Sequence, residues 1–264
     1  MSATLAIAVN VFRESVRDKV FYNLVLFAVL LVGASILIGQ LTAGQDVKII
    51  KDLGLAATAV FGVFIAIFVG ISLVSKEVDR RSVYPLLAKP ISRGGFILGK
   101  YLGLAAALAA STLVGFGIVG ALLGSKFGAL ALLHFAGFMA SAIGLGLAFL
   151  SVSVLISVVA ASRIGASGMA IVSWFGFVLV YDLLLLALLV ALAGRLPSTV
   201  VPALLLLNPA DVFRMVNIFG FADAARLYGL AAVVPRSFAS PFVQGAALVA
   251  WILMPLGIAS WRFR

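Results

Sequence analysis

The chain has 264 residues, 64% of them hydrophobic and 11% charged; because soluble domains are only about half apolar, this composition predicts an integral membrane protein. With no cysteine and one histidine, the sequence excludes a disulfide framework, a thiol nucleophile and, within one chain, a multi-histidine metal site. The formal net charge of +10 indicates membrane topology and attraction to anionic lipid headgroups rather than nucleic-acid binding.

The N-terminal segment, residues 1–19, has an amphipathic pattern. Ile7 and Val11 lie at helical spacing opposite Arg13 and Arg17. This pattern predicts an amphipathic helix lying in the cytoplasmic membrane interface, and the alternative is an extension of the first membrane helix. No small-residue cleavage site follows an isolated apolar core, so we expect this segment to be retained.

Long apolar runs are candidate transmembrane helices, because about 20 residues at 1.5 Å rise cross about 30 Å of hydrocarbon. The sequence contains six, at residues 20–39, 53–75, 98–123, 130–159, 168–193 and 242–260. The short connection at 124–129 predicts a hairpin of the third and fourth helices. The expected fold class is an all-α integral membrane protein. It has six transmembrane helices, an N-terminal interfacial helix and short extracytoplasmic helices between the fifth and sixth spans, with no separate soluble domain.

The distribution of Lys and Arg predicts the orientation. Positive charge is retained on the cytoplasmic side during insertion, and with both termini inside, the inner segments carry more Lys and Arg than the outer ones. The polar segment at 76–96 supplies much of that excess. We therefore expect both termini to be cytoplasmic.

The segment at 194–241 is only half polar. It contains an apolar run too short to span a bilayer and interrupted by prolines, a pattern typical of re-entrant or interfacial segments. Asn208, Pro209 and Asp211 predict an N-cap, a first-turn proline and a dipole-compensating acid opening a short helix. The alternative is a structured surface loop with no role in transport.

Asp182 is the only acid inside a predicted span. A charged acid costs roughly 2.5 to 3.5 kcal/mol at the centre of a membrane helix, so we expect Asp182 to face protein or water. It would then line a membrane path or form an interhelical lock, and the alternative is a hydrogen-bonded structural acid.

The sequence lacks residues that three kinds of catalytic or nucleotide-binding site require. The stretch "GGFILGKY" at 94–101 resembles a phosphate-binding loop, but Tyr101 stands where a hydroxyl ligand to magnesium belongs. An intramembrane aspartyl enzyme needs two facing acids, and a serine enzyme needs a His or Lys base within the membrane. We therefore expect no catalytic site in this chain.

Gly99 and Gly103 stand four residues apart in the predicted third helix. Small residues at this spacing let two helix backbones approach closely. The pair is compatible with packing against a second copy of the chain.

Four stretches carry a resemblance to a known family. The stretch "SKEVDRRSVYPLLAKPISRGGFILGKYLG" at 75–103 resembles the cytoplasmic signature of ABC-2 type transporter permeases, and "NVFRESVRDKVFYNLVLFAVLL" resembles the N-terminal helix of that family running into the first span. The stretches "SWFGFVLVYDLLLLALL" and "LLLLNPADVFRMVNIFGF" resemble the permeases of nitrous-oxide reductase maturation transporters. Together these stretches make the whole chain, 1–264, resemble a single ABC-2 type transmembrane domain.

The resemblance implies a homodimeric permease of the bacterial inner membrane. It would bind two copies of an ATP-binding subunit, which uses ATP and Mg, while this chain carries no cofactor or metal. The nitrous-oxide subfamily further implies a periplasmic maturation protein, a copper chaperone and a role in supplying the copper centres of the reductase. The rival hypotheses are a membrane scaffold that drives a periplasmic partner without transport, and an exporter of another substrate.

The resemblance also implies roles for individual residues. The coupling element would be residues 76–89, followed by a turn at 92–95. Its polar contacts to the ATP-binding subunit would be Glu77, Arg80 and Arg81, and its buried face would be Val83, Leu86 and Leu87. The alternative is a solvated loop that only fixes topology. Contacts to the extracytoplasmic partner would come from Asn208, Asp211 and Arg214.

Overall fold

A computed structural model describes most of the membrane helices of the chain. The described residues are 3–17, 22, 26, 30, 54–79, 92–127, 129–160, 162–192, 197, 199–219, 238 and 240–263. Within these ranges the secondary structure is helical, with no strand. The predicted span at 20–39 lies outside the described residues except for three isolated positions.

The described part of the chain contains eight helices. They are α1 (Ala3–Arg17), α2 (54–79), α3 (Arg93–Phe127), α4 (Ala129–Val159), α5 (Arg163–Ala191), α6 (Val200–Leu206), α7 (Pro209–Phe219) and α8 (Pro241–Arg262). Five of them are long and apolar enough to cross a membrane, and α6 with α7 would make a sixth if this bent pair counts as one span. These five coincide with the five predicted spans that follow residue 50.

Helix α4 is the centre of the bundle and contacts α2, α3, α7 and α8. Its Leu145 and Phe149 are buried in one apolar core with Val63 and Ile67 of α2. Helices α3 and α4 form the predicted hairpin, because they are consecutive and pack together, with the rings of Phe116 on α3 and Phe135 on α4 6.1 Å apart.

One end of the bundle gathers the segments that flank the predicted coupling element. Phe96, at the start of α3, stacks on Phe263 beyond the end of α8, with ring centroids 6.1 Å apart.

Helix α1 packs along the same part of α3. The two glycines predicted to allow close packing are the point of contact. A Cβ atom on Gly99 would lie 2.7 Å from the Thr4 carbonyl, and one on Gly103 would overlap the Ala8 carbonyl. The glycine pair is therefore occupied by α1 of its own chain.

Two spans begin earlier than predicted because each opens on a serine cap. Ser92 Oγ accepts a hydrogen bond from Gly95 N at 3.1 Å, and Ser162 Oγ accepts one from Gly165 N at 3.1 Å. A side-chain oxygen at this position satisfies an otherwise unpaired N–H of the first turn. The predicted turn at 92–95 is thus the cap and first turn of α3. Helix α2 also continues unbroken through Asp79, since no Gly or Pro interrupts it there.

Candidate functional site

Helix α5 contains a π-helical segment, Gly176–Val180, in its middle. There the N–H of Tyr181 donates to the carbonyl of Gly176, five residues back, whereas an α-helix would direct it to Phe177. The Phe177 carbonyl instead accepts a hydrogen bond from Asn208 Nδ2 at 2.8 Å. The bulge in α5 is therefore completed by a side chain from another element.

Asn208 lies at the break between α6 and α7, where the chain bends by 115°. Its Oδ1 accepts from Ala210 N at 3.0 Å, and its carbonyl accepts from Val212 N at 3.0 Å. Asn208 thus caps α7 ahead of Pro209, the arrangement that the sequence predicts. Its side chain is fully buried, so one amide group serves both the cap and the bulge of α5.

The end of α6 is held by two aromatic side chains. Tyr181 OH donates to the Leu204 carbonyl at 2.6 Å, and Trp251 Nε1 donates to the Leu206 carbonyl at 3.1 Å. The last carbonyls of a helix have no partner within the helix. In an apolar surrounding an unpaired carbonyl would cost several kcal/mol. Trp251 gives the Leu206 carbonyl a partner, and Tyr181 adds a second hydrogen bond to the Leu204 carbonyl, which also accepts from Leu207 N at 2.9 Å.

The break lies at the middle depth of the bundle. Phe177 is at the centre of α5, and Trp251 is near the centre of α8. Helix α7 then packs on the first half of α4, where Asn217 Nδ2 donates to Ser141 Oγ at 2.8 Å. The 11 residues of α7 extend about 16 Å, roughly half the thickness of the hydrocarbon. The break between α6 and α7 thus lies beside the middle of α5 and of α8.

An ion-pair network joins α7 to α5 beside this break. Arg214 Nη1 lies 2.5 Å from Asp182 Oδ2 and 2.8 Å from Asp211 Oδ1. Asp211 Oδ2 also accepts from Asn208 Nδ2 at 2.9 Å. The side chain of Asp211 is 4% exposed, while those of Arg214 and Asp182 are 30% and 34% exposed. We call Asp182, Asn208, Asp211 and Arg214 the polar cluster.

The polar cluster is chemically suited to holding two elements together. The Asp182–Arg214 pair joins α5 to α7 and is partly exposed, whereas Asp211 is buried and pairs with Arg214 within α7; loss of Arg214 would leave the buried Asp211 charge uncompensated, which is costly. The pair therefore resists separation of α5 from α7 as long as both charges remain.

Comparison with known proteins places the chain in a family. The model of the ABC-2 family transporter proteins matches residues 5–264. The chain belongs to the ABC-2 transporter family.

Two curated relatives of this ABC-2 protein match most of the chain and carry the same name. A protein of Pseudomonas aeruginosa named "Probable ABC transporter permease protein NosY" is 38% identical over 207 residues, which cover 76% of this chain and 74% of the relative. A protein of Stutzerimonas stutzeri with the same name is 34% identical over 252 residues, covering 90% and 89%. The chain is thus an ABC-2 permease similar to NosY, and its apolar helices make it a multi-pass protein of the bacterial inner membrane.

The predicted coupling residues of this ABC-2 chain fall mostly beyond the described part. Glu77 lies on α2, which extends to Asp79. The other five lie outside the described residues: Arg80, Arg81, Val83, Leu86 and Leu87. Their contacts with an ATP-binding subunit stay a prediction.

The structure brings the other predicted site residues together. Asp182 was predicted as a path or lock residue, and Asn208, Asp211 and Arg214 as contacts to an extracytoplasmic partner. All four belong to the polar cluster. In this conformation Asn208 and Asp211 are buried, and Arg214 keeps an exposed fraction. Partner contact through these residues stays a prediction.

Sequence reasoning missed the residues that complete this site. The bulge in α5 has no sequence signature, so the sequence did not indicate that the Phe177 carbonyl would accept a side-chain hydrogen bond. Tyr181 and Trp251 read as ordinary membrane aromatics, although a buried Tyr or Trp usually finds a hydrogen-bond partner. The one available signal was charge. An acid within a membrane span usually pairs with a basic side chain, and Arg214 is the partner of Asp182.

Proposed function

We propose that this chain is the membrane subunit through which a separate ATP-binding subunit performs work across the membrane. Two copies of the permease would bind two copies of the ATP-binding subunit, which hydrolyses ATP with Mg. Membership of the ABC-2 family over nearly the whole chain carries this proposal. The similarity to two permeases named NosY supports a role in maturation of the copper centres of nitrous-oxide reductase.

The proposed coupling follows the order of the helices. Both termini and residues 76–89 would be cytoplasmic, and closure of the ATP-binding subunits would push on the end of α2 and the start of α3. The bundle would then switch between two packings. The pair of α6 and α7 would re-enter the membrane from the opposite side, where residues 194–241 would face a periplasmic maturation protein. A copper chaperone would act with that partner.

The polar cluster supports force transfer rather than cargo binding at this site. Asp182, Asp211 and Arg214 are engaged with one another, so a cargo would first have to break an ion pair. Soft ligands such as Cys or clustered Met and His are what copper(I) prefers, and the sequence has no Cys and one His. The second candidate is therefore a scaffold that moves a periplasmic partner without transporting a substrate.

The coupling role is tested by charge changes at the coupling element. Glu77→Ala and Arg81→Glu are expected to uncouple ATP hydrolysis from maturation, lowering the copper content of the reductase while the permease remains inserted. The matched control is Arg13→Glu, the same charge change on exposed Arg13 of α1. The measurements are ATPase rate of the co-purified complex and copper per reductase. Normal copper content with full subunit association would contradict the role.

A further inference from the structure

The polar cluster contains two acids and one base. Arg214 directs the same nitrogen, Nη1, to Asp182 Oδ2 at 2.5 Å and to Asp211 Oδ1 at 2.8 Å. The two carboxyl groups are therefore neighbours, and their oxygens lie within hydrogen-bonding range of each other. If both acids were ionised, the cluster would carry one uncompensated negative charge.

The polar side chains next to the two acids are neutral. Asn208 donates from its amide to Asp211 Oδ2 at 2.9 Å. Tyr181 is the titratable neighbour of both acids, but its OH donates to the Leu204 carbonyl at 2.6 Å. Neither side chain supplies a second positive charge.

The other helices packed on α7 also meet it through neutral groups. From α8, Trp251 donates to a backbone carbonyl at the end of α6. From α4, the Ser141 hydroxyl accepts from the Asn217 amide. Among the described residues, Arg214 is thus the cation that acts on Asp211.

An extra negative charge is unfavourable at this place. The cluster lies beside the middle of α5, and the side chain of Asp211 is almost fully buried. A lone charge is strongly disfavoured within a membrane segment. Two carboxyl groups that share one site retain a proton, because the first negative charge opposes formation of the second.

We propose that Asp182 and Asp211 hold one proton between them, so that the contact of α5 with α7 is a lock that depends on pH. With the proton bound, the cluster is neutral and Arg214 joins the two helices. Loss of the proton adds a negative charge at this contact. The proton belongs to the pair rather than to one acid, and the exposed part of Asp182 lets it exchange. The proposal concerns this chain alone and does not depend on the proposed function.

The direction of the pH dependence follows from proton binding. A separate Asp carboxyl group loses its proton near pH 4, at about its ordinary pKa, so at neutral pH the unfolded chain binds fewer protons at these two positions than the folded chain. The stability of the folded chain is therefore expected to fall as the pH rises and the proton is lost. A fully ionised cluster predicts the alternative, a stability that rises with pH at acidic values and then stays constant.

The test measures the apparent Tm of the full-length permease in a detergent without ester groups, from about pH 6 to about pH 9. Asp182→Asn keeps an oxygen for Arg214 and leaves Asp211 as the partner acid, so this variant cluster is neutral without a proton. The Tm of the wild type should fall over this range by roughly 5 °C more than that of Asp182→Asn. At the highest pH the variant should be at least as stable as the wild type.

Glu14→Gln is the matched control, because it removes one exposed acid of α1 and should keep the wild-type slope of Tm against pH. Equal slopes in the wild type and Asp182→Asn overturn the proposal. That result is expected if both acids are ionised and a cation from a second copy of the chain completes the cluster.

Infrared spectroscopy detects the proton without relying on a variant. Near neutral pH the wild-type permease should show the absorption of a protonated carboxyl group, and this absorption should disappear at high pH. Asp182→Asn should lack it throughout the range. A wild-type spectrum without this absorption overturns the proposal, whatever the stability of the variant.

Discussion

Arg214 makes contacts that its position in the sequence did not indicate. It was predicted to lie in an extracytoplasmic segment, yet it contacts Asp182 of α5 and Asp211 of its own helix. Asp211 stands three residues before Arg214, a spacing that brings side chains together on a helix. Asp182 stands 32 residues away, and only the turn of the chain at Asn208 brings it within reach. The local contact was predictable and the distant one was not.

Removal of the shared cation should destabilise the permease. Arg214→Ala leaves two carboxylates without their partner, and because the pair is partly exposed we expect a loss of roughly 3 kcal/mol, the lower end of the range for buried pairs. The apparent Tm in detergent should fall by roughly 5 to 10 °C. Arg163→Ala, at an exposed arginine of α5, is the control. Equal Tm values for the two variants would argue that the ion pair contributes little.

At the scale of elements, the serine caps of α3 and α5 and the packing of α1 on Gly99 and Gly103 account for most differences from the sequence prediction. We call the surface of α3 at these two glycines the glycine groove. Apolar-run counting began the third and fifth spans at 98 and 168, whereas Ser92 and Ser162 begin the helices at Arg93 and Arg163. A cap is a polar residue, so hydropathy cannot locate it. Gly99 and Gly103 predicted close helix packing correctly, but spacing alone does not name the helix that packs.

The groove for α1 gives a test with a control on the same helix. Gly103→Ala places a Cβ against the Ala8 carbonyl and 2.7 Å from Val11 Cβ, so we expect α1 to separate from α3. Gly117→Ala meets no atom within 4 Å, and it should stabilise α3 slightly because Ala favours helix over Gly. Disulfide formation between cysteines at Val11 and Leu104, which share a core, measures the packing. Equal disulfide yield in both variants would contradict the groove assignment.

At the scale of the whole molecule, α5 is the least covered of the five described spans. Of the 29 residues of Arg163–Ala191, only three are buried, namely Ala166, Ala170 and Val178, whereas most of the middle of Phe135–Val159 in α4 is buried. The polar cluster opens on this side through Asp182 and Arg214. Charged groups in membrane segments usually face protein or water rather than lipid, so the proposed second copy of the chain is the natural cover for this face.

Homodimer formation through α5 can be measured with single cysteines in this cysteine-free chain. A cysteine at Val172 or Leu183 should cross-link two copies in native membranes. A cysteine at Leu253 of α8, exposed to a similar extent at 62%, should cross-link much less. The reverse pattern would place the second copy elsewhere and leave α5 facing lipid.

The sequence by itself determined the class of molecule, five of the described spans and the cap at Asn208. These features depend on hydropathy and on contacts between near neighbours in the chain. Only the tertiary structure decided that Arg214 pairs with Asp182, that Asn208 completes the bulge of α5, and that α1 fills the glycine groove. Each of these depends on how helices distant in sequence are placed, because a hydrogen bond or ion pair forms only when packing brings its two groups within about 3 Å.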